Sequence, residues 1–297
     1  MEHQYIRTNG VTLHVAIDGD PNGEPIVLLH GFPEFWYGWK KQIPYLVEKG
    51  YRVIVPDQRG YNLSDKPNKI EDYLLNVLAN DIIGLIDALG YDRVNLVGHD
   101  WGGAVAWWVA TAYPNRLKTL SILNIPYPTV MVKYLKANPA QWLKSWYMGF
   151  FQVPLLPEAT LGIAKYKVFA NLIKSTGKEG SFTEADLVKY REAWSKPNAA
   201  TGMLNWYRGL MRTNVKQATD DTRREELPKG KRISTPTQIL WGEKDVALSK
   251  EMAQPSADVC VDARLEFFPE ATHWLQHDEP DAVNERIHAF IQEKLSV

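Results

Sequence analysis

At 297 residues, the chain has room for one large α/β domain, or for such a domain with a sizeable insertion. Its 45% apolar and 23% charged residues are ordinary for a globular protein, and a net charge of −1 offers a polyanion nothing to hold, so no nucleic-acid partner is expected. One cysteine, Cys260, excludes an intramolecular disulfide framework and suits a reducing, cytoplasmic compartment.

At the start, Met1-Glu2-His3-Gln4-Tyr5 has no basic region running into an apolar one, so no signal peptide is expected. Val11, Leu13 and Val15 alternate like a half-buried strand. Residues 26–30, 52–55 and 93–98 are short apolar runs, which suit strands covered on both faces. Helix-like stretches at 34–49 and 74–89 lie between them, with Gly50 and Gly90 as stops. A helix over 104–113 and a strand over 117–123 follow. This rhythm predicts a mainly parallel sheet flanked by helices.

From about Pro126 to Pro228 the buried strands cease, and Trp- and Tyr-rich helical segments are broken by Pro139, Pro154, Pro157, Gly177 and Pro197. Strands resume at 236–241 and 264–268, and a last helix is expected over 280–294. The organisation read from this is a core of residues 1–126 and 229–297 with a helical cap domain, 127–228, inserted. No run approaches the ~20 apolar residues that span a bilayer, so no membrane span is expected; a homodimer stays open.

Gly98-His99-Asp100-Trp101-Gly102-Gly103 joins an apolar strand to a helix. Small residues two places to each side of Asp100 mark a sharp elbow that lifts the central side chain clear of the backbone. Free N–H groups at the helix start favour an anion there. Asp100 as a plain helix cap is the competing reading.

With that elbow, the sequence resembles the α/β-hydrolase family, specifically its Asp-nucleophile branch of epoxide hydrolases and haloalkane dehalogenases. His30-Gly31-Phe32-Pro33-Glu34 resembles the family's HGxP motif, in which Pro33 would be cis, and Asp57-Gln58-Arg59-Gly60-Tyr61-Asn62-Leu63-Ser64 its following loop. Asp245, in Gly242-Glu243-Lys244-Asp245, matches the family's acid position, and His273, in Ala271-Thr272-His273-Trp274, its histidine. The resemblance implies an α/β-hydrolase fold with an inserted helical cap, the relay Asp100–His273–Asp245, and an oxyanion hole of the Phe32 and Trp101 backbone N–H groups. His30, Gly31 and Pro33 would be structural. Tyr147, in Trp146-Tyr147-Met148-Gly149, and Tyr207, in Asn205-Trp206-Tyr207-Arg208, resemble the two cap tyrosines of epoxide hydrolases, with Tyr134 the alternative to Tyr147.

A carboxylate needs no deprotonation at neutral pH and suits displacement at a saturated carbon, so ester hydrolysis by this site is disfavoured. An opening epoxide leaves an alkoxide, and a phenol of pKa ~10 can protonate it. The expected reaction is therefore conversion of a small apolar epoxide and water to a diol, through an ester on Asp100. Dehalogenation is the alternative: Trp101 would be one halide donor and Trp142, Trp146, Trp194 or Trp206 another. A non-catalytic binding protein is disfavoured because all relay positions are filled. His277 stands four residues after His273, but without a carboxylate constellation no metal is expected, and no cofactor is needed. Glu34 is expected as a solvated helix-start carboxylate, with water positioning near His273 its other reading.

Overall fold

A computed structural model of the chain describes residues 1–138, 141, 145–219 and 232–296, the backbone alone for 212–219. Eight strands form one sheet: β1 (Glu2–Thr8), β2 (Val11–Asp18), β3 (Glu24–Leu29), β4 (Tyr51–Pro56), β5 (Val94–His99), β6 (Leu117–Leu123), β7 (Thr237–Gly242) and β8 (Ala263–Phe268). Their order is β1-β2-β4-β3-β5-β6-β7-β8. β2 runs antiparallel to β1 and β4, and every pair from β4 to β8 is parallel. The fold is that of an α/β hydrolase.

The apolar runs become strands because both sheet faces are covered. β5 and β7 are buried along their whole length. Helices 75–88 and 101–112 cover one face, burying Leu78, Ile82, Val105 and Val109. Trp39, Ile43, Leu46, Val283, Ile287 and Ile291 cover the other. The chain leaves β3 for β4 on one side and returns to β5 on the other, so the strand order reverses at β3. A crevice at such a switch point lies beyond the C-terminal strand ends. His30-Gly31 leave β3 there and Asp100 leaves β5, with Leu29 opposite Gly98 in the parallel register.

The chain departs from the expected elements in two places. β1 pairs with β2 from Glu2↔Ile17 to Thr8↔Val11, yet its burial runs from exposed to intermediate until Thr8. An edge strand facing solvent needs no apolar alternation, so it carried none. The stretch 34–49 is not one helix but a 3-10 turn, Trp36–Trp39, followed by a helix, Gln42–Glu48. The turn wraps around a buried carboxylate: a Cβ on Gly38 would lie 2.7 Å from Glu34 Oε1.

Between β6 and β7 the described residues form helices at Pro128–Ala137, Trp146–Phe150, Leu156–Leu161, Lys167–Thr176, Glu184–Trp194 and Ala199–Thr219. Pro139, Trp142 and the 228/229 boundary lie outside the described residues. No described helix is long and apolar enough to cross a membrane.

Candidate active site

Asp100 sits at the elbow with φ +49° and ψ −123°, a backbone state that costs a non-glycine residue on the order of 1–3 kcal/mol. Close packing enforces it. A Cβ on Gly98 would meet Gly102 O at 2.6 Å, and one on Gly102 would meet Leu29 O at 2.3 Å. Asp100 makes no side-chain capping bond to its helix, so the helix-cap reading fails. The carboxylate points across to the loop after β3, where Phe32 N–H donates to Oδ1 at 2.8 Å. Gly31 permits this approach, since its Cβ would lie 2.5 Å from that of Asp100. The Phe32–Pro33 bond is cis.

His273 closes the site from the loop after β8. Its Nε2 lies 3.5 Å from Asp100 Oδ2, and its Nδ1 lies 2.8 Å from Asp245 Oδ2. Asp245, after β7, is held in turn: Oδ1 accepts from the N–H groups of Ala247 and Leu248, and Oδ2 from Asn124 Nδ2 at 2.8 Å. Burial would push the His273 imidazolium down, but Asp245 and Asp100 outweigh it and hold its pKa well above the usual histidine value. Burial would likewise raise Asp100, yet the hydrogen bond and charge of His273, the charge of His99 and the Phe32 N–H leave it below the usual carboxylate range.

Tyr207 stands edge-on to Phe32 and Trp101, with ring centroids 5.1 and 5.0 Å away. Those two residues bracket Asp100, so the phenol ring lies over the elbow. Tyr147 meets Tyr207 edge-on at 5.9 Å. Tyr134 instead accepts a hydrogen bond from Asn138 on its own helix, so Tyr147 is the partner of Tyr207. Burial, followed by the charge of Asp100, raises Tyr147; burial, then Tyr147 and Asp100, raises Tyr207 well above its ordinary value. Both stay protonated at any neutral pH.

Residues 24–280 match a family profile described as the alpha/beta hydrolase fold. The chain is 45% identical over 289 residues to the AB hydrolase superfamily protein YfhM of Bacillus subtilis, covering 97% of each. It is 38% identical to human Epoxide hydrolase 4, over 98% of this chain and 79% of that protein. A crystal structure of Bacillus megaterium epoxide hydrolase in complex with an inhibitor superposes with a TM-score of 0.87 at 32% identity, over 97% of this chain and 100% of that one. The chain belongs to the α/β-hydrolase family, among the epoxide hydrolases.

In this α/β hydrolase the other motif residues are tied to the backbone around the site. His30 Nε2 accepts from Gln58 N–H at 3.0 Å, fixing the loop after β3 to the loop after β4. His99 bonds the carbonyl of His273 at 2.7 Å through Nε2. Glu34 is not solvated: it is 2% exposed. It accepts from Tyr190 at 2.6 Å, His277 at 2.7 Å and Gln276 at 2.9 Å. His277 is thereby spent on Glu34, and among the described residues no cluster has the make-up of a metal site. Cys260 is buried, which pushes its thiol up to about 11, so it is no nucleophile.

Two contributors went unread in the sequence. Asn124, at the end of β6 with φ +48°, bonds Asp245 and accepts from Gly242 N–H at 3.2 Å. A lone Asn closing an apolar strand at the sheet's C-terminal edge was its signal. Phe151 was the other, its ring 5.0 Å from Tyr207 and 5.6 Å from Tyr147. Nothing in the aromatic-rich insertion marked it out.

Proposed function

We propose that the enzyme hydrolyses small apolar epoxides to diols through a covalent ester on Asp100, with residues 127–228 acting as a cap that supplies the acids. The observation that carries this reading is a carboxylate held at once by a backbone N–H on one oxygen and a histidine near the other, under a pair of phenols. Oδ2, the oxygen outside the Phe32 N–H, attacks an epoxide carbon while the ring C–O bond breaks. Tyr207 and Tyr147 bind that oxygen, and one of them gives it a proton as it becomes an alkoxide.

The electrostatics suit this order. Esterification removes the charge of Asp100, which is a cause of the raised phenols and of the raised His273. The phenols therefore become stronger acids as the alkoxide forms. His273 loses one of its two carboxylate neighbours and falls toward the neutral form that can act as a base, and the proton it releases returns the phenolate to the phenol. Water then loses a proton to His273 and adds to the ester carbonyl carbon. The tetrahedral oxyanion is held by the backbone N–H groups of Phe32 and Trp101. Collapse breaks the ester C–O bond; the departing alkoxide takes the proton from His273 to become the diol, and the new carboxyl group returns a proton to His273, leaving one water oxygen in the aspartate.

The aromatic lining of Phe32, Trp101, Phe151, Tyr147 and Tyr207 favours an apolar substrate. A halide leaving group is less well served. The indole N–H of Trp194 is given to Pro33 O and that of Trp206 to Arg59 O, and the Trp146 side chain is exposed.

The test is His273→Gln mixed with an excess of a styrene-oxide-type substrate. The adduct mass is expected on the Asp100 peptide within one turnover, while multiple turnovers of the unaltered enzyme in heavy-oxygen water label the Asp100 carboxyl. An unlabelled Asp100 after many turnovers would sink the proposal.

A further inference from the structure

We infer that Arg208 is a positioning residue that holds Tyr147 and Tyr207 at the separation needed for ring opening, an inference that rests on the phenol assignment above. Tyr147 lies on a helix of five residues, Trp146–Phe150, which has no side-chain cap. So short a helix has almost no stability of its own and keeps its place only through tertiary contacts. Its outer side is bare, with Trp146 67% exposed. Beside its packing on the core, it is tied to the neighbouring long helix.

Arg208 follows Tyr207 directly and is 6% exposed. Its guanidinium reaches the chain just past the short helix: Nε donates to Phe151 O at 2.9 Å and Nη2 to Val153 O at 3.1 Å. Phe151 N–H in turn donates to Tyr147 O at 2.9 Å, so the guanidinium grips the residue that closes the Tyr147 turn. Glu158 takes Nη1 at 2.7 Å and Nη2 at 3.1 Å, and Nη1 also donates to Asn205 Oδ1 at 3.3 Å. Gln152 adds a second tie, donating from Nε2 to Met148 O at 3.1 Å and Tyr207 O at 3.3 Å. One side chain beside the second phenol thus sets the backbone that carries the first. No other residue type has the geometry: a planar fork serves two carbonyls and a bidentate carboxylate together, while an ammonium cannot.

Ring opening needs both phenols on one oxygen, and ester hydrolysis by His273 needs neither. Loosening the fork therefore affects one half-reaction only. A 1 Å misplacement of a reacting group costs on the order of 100-fold in rate.

Single-turnover rates of ester formation and of ester hydrolysis, measured for Arg208→Lys, Glu158→Gln, Tyr147→Phe and Tyr207→Phe across epoxides of graded alkoxide basicity, test this. Arg208→Lys is expected to slow ester formation by about 100-fold, with Glu158→Gln between it and the unaltered enzyme. Both should steepen the dependence on alkoxide basicity and leave ester hydrolysis unchanged. Glu158→Gln keeps the guanidinium, so the test stands even where the lysine variant does not fold. Equal slowing of both steps, or an unaltered dependence on basicity, would reduce Arg208 to a structural prop and overturn the inference. If the two Tyr→Phe variants form ester at full rate, the phenol assignment falls and the inference falls with it. If they are slow while the Arg208 and Glu158 variants are fast, the inference falls alone.

Discussion

The two halves of the site are built by different means. On the core side, Asp100, His273 and Asp245 leave the ends of β5, β8 and β7, and both carboxylate oxygens of Asp245 are hydrogen-bonded at the sheet edge. On the other side, Tyr147 and Tyr207 lie on inserted helices whose contact with the elbow is edge-on aromatic packing. Hydrogen bonds between side chains tie the relay together, whereas the phenol rings meet the core through aromatic contacts and depend on the backbone ties of Arg208 and Gln152 for their placement. In the proposed mechanism the relay serves ester hydrolysis and the phenols serve ring opening, so the two steps should fail separately when either half is disturbed.

The largest effect is expected where both halves meet. Asp100→Asn should lower diol formation by on the order of 10⁴-fold or more, since a lost nucleophile is not replaced. It should also lower the pKa of His273, because a carboxylate that raises it is gone. In the unaltered protein the folded His273 value exceeds the ~6.5 of an unfolded histidine, so its stabilising contribution is full below that pH and fades as pH rises through the folded value. In Asp100→Asn the contribution should be smaller and its fading should be complete at a lower pH. Imidazole NMR titration and thermal unfolding against pH check the two statements, and an unmoved His273 would disprove the coupling.

Next in size is the phenol side. Tyr207→Phe should slow ester formation by roughly 100-fold, within the usual range for a lost general acid, and the double variant with Tyr147→Phe more. Hydrolysis of preformed ester should be untouched. Rapid-quench detection of the adduct separates the steps; equal loss in both would erase the contrast between the halves.

The smallest effect belongs to Asn124→Ala. It leaves Gly242 N–H and one bond of Asp245 unsatisfied in a buried place, at a cost of about 1–3 kcal/mol in stability. The relay keeps its other bonds, so kcat should fall only about tenfold. Denaturant unfolding and steady-state rates measure both, and ester hydrolysis should carry the whole loss in rate.

The sheet was legible because strands covered on both faces, such as 94–99 and 117–123, are mostly apolar, and their few buried polar side chains, such as Asn95 and Thr119, bond one another. The elbow was legible because only small residues fit at Gly98 and Gly102. β1 escaped notice because it buries almost nothing, and the break after Glu34 because its cause lies elsewhere. Glu34 reads as a surface acid until Tyr190, Gln276 and His277 reach it from 156, 242 and 243 residues away.

The sequence by itself determined the layered sheet and the sharp turn that presents Asp100, because burial period and backbone sterics act over a few neighbouring residues; the assignment of Asp245 and His273 came from family resemblance. Only the tertiary structure decided that Tyr147 rather than Tyr134 stands beside Tyr207, that Asn124 steadies Asp245 and that Glu34 is buried. Those outcomes depend on side chains meeting across large sequence separations, where packing and hydrogen-bond satisfaction, not local pattern, select the partner.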